Sequence, residues 1–162
     1  MDTFMLCPLQ SGYGFTPGQN LIEQPLRGGM PRQRLAFIGS VHQVTASVMC
    51  ASRAEREYFW AFWRKKQRSP ENWLWALQTD AYDLEEHECR FAVNSQPSEQ
   101  LRNGRIVQYS FQVWVKPLHR SADIDDVIID YWNSGMNPQA KLLLEKLANE
   151  SVPGTMRGLW QN

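Results

Sequence analysis

The chain has 162 residues, and its 17 basic and 17 acidic side chains cancel, leaving no whole-chain electrostatic reason to bind nucleic acid or anionic lipid. A hydrophobic share of 43% with seven Trp, seven Phe and five Tyr supplies a packed core and excludes global disorder, and the length leaves little room for a second core. No window reaches the roughly 18 apolar residues of a membrane span, and the start lacks the basic and apolar stretches of a secretory signal. The expectation is therefore a soluble, unexported protein without membrane partners. Cys7, Cys50 and Cys89 form an odd set with no close pair, which suits synthesis in a reducing cytoplasm.

Residues 8–40 are rich in Gly and Pro, so the turn signals predict a long loop or meander. Leu21-Ile22 and Leu35 to Ile38 could form short strands inside it, and disorder is the competing reading. From Gln43 to Cys50 strict alternation predicts a half-buried strand with Val44, Ala46, Val48 and Cys50 on its apolar face. Ser52-Arg53-Ala54-Glu55 forms a capping box, so a helix should begin at Arg53 and end at Ser69-Pro70. Its apolar side carries Ala54, Tyr58, Phe59, Phe62 and Trp63, opposite Arg56, Glu57, Arg64, Lys65 and Lys66. The cluster Arg64, Lys65, Lys66 and Arg68 offsets the negative end of the helix dipole, and a phosphate-binding patch is the alternative.

Trp73 to Leu77 reads as a buried strand. Alternation resumes from Leu84 to Val93, with His87, Cys89, Phe91 and Val93 opposed to Glu86, Glu88 and Arg90. Asn103-Gly104 signals a hairpin turn with both residues at its centre. The strand that follows sets Val107, Tyr109, Phe111, Val113 and Val115 against Ile106, Gln108, Ser110, Gln112 and Trp114, and Pro117 stops it. Beyond Pro117 the period becomes helical: Ile124, Val127, Ile128, Tyr131 and Trp132 share a stripe behind Asp123, Asp125 and Asp126, and Asn137-Pro138 opens a second helix. Residues 152–162, with Trp160, read as a loose tail.

Catalytic signatures are scarce. His42, His87 and His119 are scattered, and the pair His87 and Cys89 has no second pair to complete a tetrahedral site, so a half-buried His beside a structural Cys is preferred to a metal ligand set. Gly-x-Ser-x-Gly and phosphate-loop patterns are missing. Glu86 and Glu88 read as a solvated strand face, and the Asp123 group as helix N-terminal acids. No catalytic residue, metal ligand or cofactor is assigned.

The segment Arg53 to Trp63, leading to Asn72-Trp73-Leu74-Trp75, together with Glu88-Cys89-Arg90-Phe91 and Gly104 to Val113, resembles the core of minor tail proteins of long-tailed phages over about residues 12–117. The resemblance implies an α+β fold: an antiparallel β-sandwich or half-barrel with one packed helix over about 53–68, in a domain spanning 1–117. Residues 118–162 would be a helical C-terminal extension, which departs from the short members of that family. The implied role is a virion structural protein, a tail-tube, distal-tail or minor-tail component. It would be made in the host cytoplasm and act by self-assembly into a ring, usually hexameric. Its partners would be copies of itself and neighbouring tail or connector proteins. It would have no sequence-specific nucleic-acid contact, although genome DNA could pass through the ring. A head-to-tail adaptor or tail terminator is the alternative, and a small-ligand β-barrel or an enzyme using His87 and Cys89 is a weaker one.

Tail rings need no active site but do need covered surfaces. The residues assigned to such a subunit or partner interface are Tyr13, Phe15, Ile106, Trp114, Trp132 and Trp160. Tyr13 and Phe15 belong to the Gly-rich arm. Ile106 and Trp114 lie on the strand face opposite the core, to be covered by a neighbour or by the C-terminal helices.

Overall fold

In the computed structural model residues 1–134 are described, and the chain divides after Leu118 into two compact units. The first unit holds nine strands and one helix: β1 (Asp2–Thr3), β2 (Pro8–Thr16), β3 (Leu21–Gln24), β4 (Arg32–Leu35), β5 (His42–Cys50), α1 (Arg53–Arg68), β6 (Trp73–Leu77), β7 (Glu85–Phe91), β8 (Ser98–Asn103) and β9 (Ile106–Val115). The second, among described residues, holds α2 (Ala122–Asn133). The fold is α+β, one large sheet with a helix packed on it. The predicted helix opening at Asn137-Pro138, and Trp160, lie outside the described residues.

Seven strands form one sheet in the order β1-β6-β7-β9-β5-β2, with β8 beside β9, while β3 and β4 form a separate hairpin. The pairings are antiparallel except that β1 runs parallel to β6, so the sheet is mixed rather than wholly antiparallel as expected. β1 and β2 stand at opposite ends of this path, yet only residues 4–7 join them. A flat sheet would separate them by five strand spacings, about 24 Å, and that link spans at most about 18 Å. The sheet must therefore curl until its two edges approach, giving a half-barrel without closure.

Its concave side is the core. Val44, Ala46, Val48 and Cys50 of β5 and Val107, Tyr109, Phe111, Val113 and Val115 of β9 are all buried, as alternation predicted. Across them lies α1. Both halves of its capping box form: Ser52 Oγ accepts from Glu55 N–H at 3.2 Å, and Glu55 Oε2 accepts from Ser52 N–H at 3.0 Å. Phe59 stacks on Tyr109 with ring centres 4.9 Å apart, and Phe62 meets Trp73 edge to face at 5.3 Å. Trp60 donates to Tyr109 Oη at 3.3 Å, which satisfies its indole at the margin of the core.

Several expectations need correction. Residues 8–16, read as part of a long loop or meander, form a nine-residue edge strand. Gly12, at φ 74°, takes up an irregularity in the β2–β5 register, so turn-forming residues here build a bulge. Lys66 was placed on the solvent side of α1 but its side chain is 3% exposed: its ammonium meets Asp2 Oδ2 at 2.8 Å and lies 5.6 Å from the Phe62 ring centre. The basic cluster thus ties α1 to β1 as well as answering the helix dipole. Val93 lies beyond β7 and is exposed, because the chain leaves the sheet after Phe91. The hairpin turn is shifted by one residue: Asn103 pairs with Ile106, so Gly104 and Arg105 form the loop and Gly104 supplies the positive φ of 58°.

Candidate functional site

The sheet's curl leaves a groove between its two edges. It has a volume of about 530 Å³ and is lined mainly by Phe4, Leu6, Pro8, Leu9, Trp75 and Leu84, with Met5, Cys7, Gln10, Tyr13, Ala76 and Gln78 completing it. Phe4 is the keystone. It is 3% exposed and its ring meets those of Phe62, Trp73, Trp75 and Phe111, while its N–H donates to Leu74 O at 2.8 Å. Trp75 Nε1 donates to Leu6 O at 2.7 Å, fixing the floor, and Tyr13 Oη donates to Gln78 O at 2.6 Å, crossing the gap from β2 to the end of β6. Burial raises the Tyr13 phenol above its ordinary value, so it stays a neutral donor.

Both walls are strand edges. β2 ends the sheet's path, so one of its edges has no strand beside it. β1 pairs only with Trp73 and Leu74, and backbone alternation turns the peptide groups of Ala76 to the same side as those of Leu74, toward the groove. The segment from Gln78 to Glu86 lines the site at Gln78 and Leu84, and its sequence holds Asp80, Asp83, Glu85 and Glu86 and no Lys or Arg.

The second feature is the β3–β4 hairpin. Every residue from Leu21 to Gly39 is exposed, among them the large apolar side chains of Leu21, Ile22, Leu26, Met30, Leu35, Phe37 and Ile38. Its base is pinned. Ala36 and Phe37 N–H donate to Asn20 O at 2.9 and 3.1 Å, Ser40 N–H donates to Asn20 Oδ1 at 3.0 Å, and Gly18 N–H donates to His42 Nδ1 at 2.9 Å. At Gly18 a Cβ would stand 2.3 Å from Ser40 O, so only glycine fits this neck.

The sequence-assigned interface residues are scattered by the fold. Tyr13 is half-buried at the groove, and Phe15, also half-buried, meets His42 edge to face with ring centres 5.2 Å apart. Ile106 and Trp114 are both 40% exposed on the outer face of β9, but eight residues separate them, about 26 Å along the strand, so they are no single patch. Trp114 instead borders a shallow outer depression with Val41 and the chain Lys116–Glu88–Asn72–Arg90, in which the Lys116 ammonium beside Glu88 lowers that carboxyl's pKa. Trp132 is exposed on α2, and none of the residues of α2 is buried. Sequence reasoning missed Phe4, Leu6 and Leu9, which lie in a stretch without periodicity, and the exposure of Met30, left in a loop, and of Phe37 and Ile38, set in a possible short strand.

His87 and Cys89 lie in the core on β7. His87 Nε2 stands 3.2 Å from Thr79 Oγ1, and burial pushes the Cys89 thiol up to about 12, so it is no thiolate nucleophile at neutral pH. Among the described residues no three His, Cys, Asp or Glu come together to hold a metal ion. No helix among them is long and apolar enough to cross a membrane. Comparison with protein-family models, curated proteins and solved structures gave no match for this chain.

Proposed function

We propose that the protein is a virion structural component that builds a phage tail ring by self-assembly. The exposed apolar hairpin carries this reading. A two-stranded ribbon gains little stability alone in water, because its strands lack a hydrophobic face packed on a third element. Here the ribbon is pinned at its base, presents seven large apolar side chains, and nothing in its own unit buries it. Such a surface is the kind that a neighbouring subunit covers. A half-barrel with one packed helix also suits the tail-ring resemblance carried by Arg53 to Trp63 and the strands that follow.

Light scattering on the purified chain over rising concentration, with electron microscopy of the product, tests this. A closed ring or a stacked tube is expected. A chain that stays monomeric at every concentration, alone and co-expressed with tail proteins, would sink the proposal; capture by a portal-proximal connector alone would replace it with a head-to-tail adaptor.

A further inference from the structure

We infer that the β3–β4 hairpin of one copy docks in the groove between β2 and β6 of the next. The inference rests on the self-assembly reading and gives it a contact. The hairpin cannot be the occupant of its own groove in this conformation, because all of its residues are exposed. Its neck at Gly18, Asn20, Ser40 and His42 fixes it at the Thr16 end of β2, whereas the groove borders the other end of that strand, at Pro8 to Tyr13.

Shape and charge agree. The groove lies between two strand edges, one ending the sheet and one left uncovered beyond Leu74, and an extended segment is what such edges receive by main-chain pairing. Its floor is apolar, through Leu6, Leu9, Trp75 and Leu84, to match Met30, Phe37 and Ile38. The hairpin and its tip carry Arg27, Arg32 and Arg34 against a single Glu23, and the segment from Gln78 to Glu86, which reaches the groove at Gln78 and Leu84, carries four acidic residues and no Lys or Arg in its sequence. Charges of this kind set register and partner choice more than affinity, which the apolar side chains supply. Because the two surfaces differ, each copy offers one of each, and the contact is heterologous: it closes into a ring when the rotation between copies divides a full turn.

Cys7 makes the contact directly testable. It lines the groove and is exposed, whereas Cys50 and Cys89 are buried. Cysteines are placed singly in the hairpin, at Ile22, Met30 and Ile38, and the assembled protein is oxidised. Two readouts are taken in order: mass by light scattering, then covalent multimers on a non-reducing gel. The inference expects a normal assembled mass and a ladder of multimers from at least one of the three variants, abolished by Cys7→Ser. It also expects Asp83→Arg with Glu86→Arg to raise the concentration needed for assembly about tenfold, and Arg32→Glu with Arg34→Glu to restore it. A normal assembled mass with no ladder from any variant and no charge effect overturns the hairpin-in-groove contact while the ring reading stands. A monomeric mass throughout overturns both. A small apolar ligand found in the groove of the assembled wild type by native mass spectrometry would overturn the contact as well.

Discussion

Phe4 holds together a sheet whose edges have no strand pairing between them, so Phe4→Ala should cost far more than its place outside any element suggests. The ring is 3% exposed and in contact with aromatic rings from α1, β6 and β9. A buried phenyl of about 200 Å² at about 25 cal/mol per Å² gives about 5 kcal/mol as an upper bound, and truncations of this kind cost about 4 kcal/mol once the neighbours relax. In a unit of this size that corresponds to a fall in melting temperature of about 16 °C. Urea unfolding followed by the fluorescence of Trp73 and Trp75 reads it, with an unchanged slope showing that the native state stays compact. Phe4→Leu, which refills most of the volume, should cost about 1 kcal/mol and serves where the alanine variant does not fold. A loss below about 1 kcal/mol for Phe4→Ala would mean that residues 4–7 are not seated and the curled sheet does not depend on them.

Three further outcomes follow from single contacts. Tyr13→Phe removes the hydrogen bond to Gln78 O across the groove and should cost about 1 kcal/mol, read as a lowered urea midpoint with faster amide exchange in β2 but not in β9; equal acceleration in both strands would contradict a local role. Gly18→Ala forces a Cβ to within 2.3 Å of Ser40 O, so the hairpin neck must shift, and limited proteolysis should cut between residues 19 and 40 while the rest of the unit survives; an unchanged digest would count against a rigid neck. Asp2 is held at about 2 against an ordinary value of 3.8, first by the hydrogen bond from the Lys65 ammonium and then by that from Lys66. A depressed carboxyl contributes stability above its unfolded value and loses it as pH falls through the folded one. The stability gap between wild type and Asp2→Asn should thus be full above about pH 4 and shrink toward pH 2; a gap that widens on acidification would refute the pairing.

The elements legible in the sequence are those whose burial follows a single period. β5 and β9 alternate because one face meets the core, and α1 announces itself through Ser52 and Glu55 before any packing is known. The failures share a cause, which is that tertiary contacts overrode local chemistry. β2 contains Pro8, Gly12 and Gly14, which signal turns; at the edge of a curled sheet Gly12 takes up a bulge and a close passage over Ser47. Lys66 is buried because β1, too short to show any pattern, brings Asp2 to it. The groove belongs to no segment: Leu6 and Leu9 come from a stretch without periodicity, Trp75 and Leu84 from either side of a turn, and only the curl of the whole sheet assembles them. In the Gly-rich arm, the apolar side chains around its tip are exposed, whereas Tyr13 and Phe15 are half-buried.

The most direct measurement is the mass in solution of the wild-type chain and of a Met30→Asp, Ile38→Asp variant at matched high concentration. Both substitutions fall on exposed hairpin positions that leave the core intact. Self-assembly through the hairpin predicts a ring multiple of the 18.8 kDa chain for the wild type and the single-chain mass for the variant. The same mass for both, whether monomer or multimer, would contradict it.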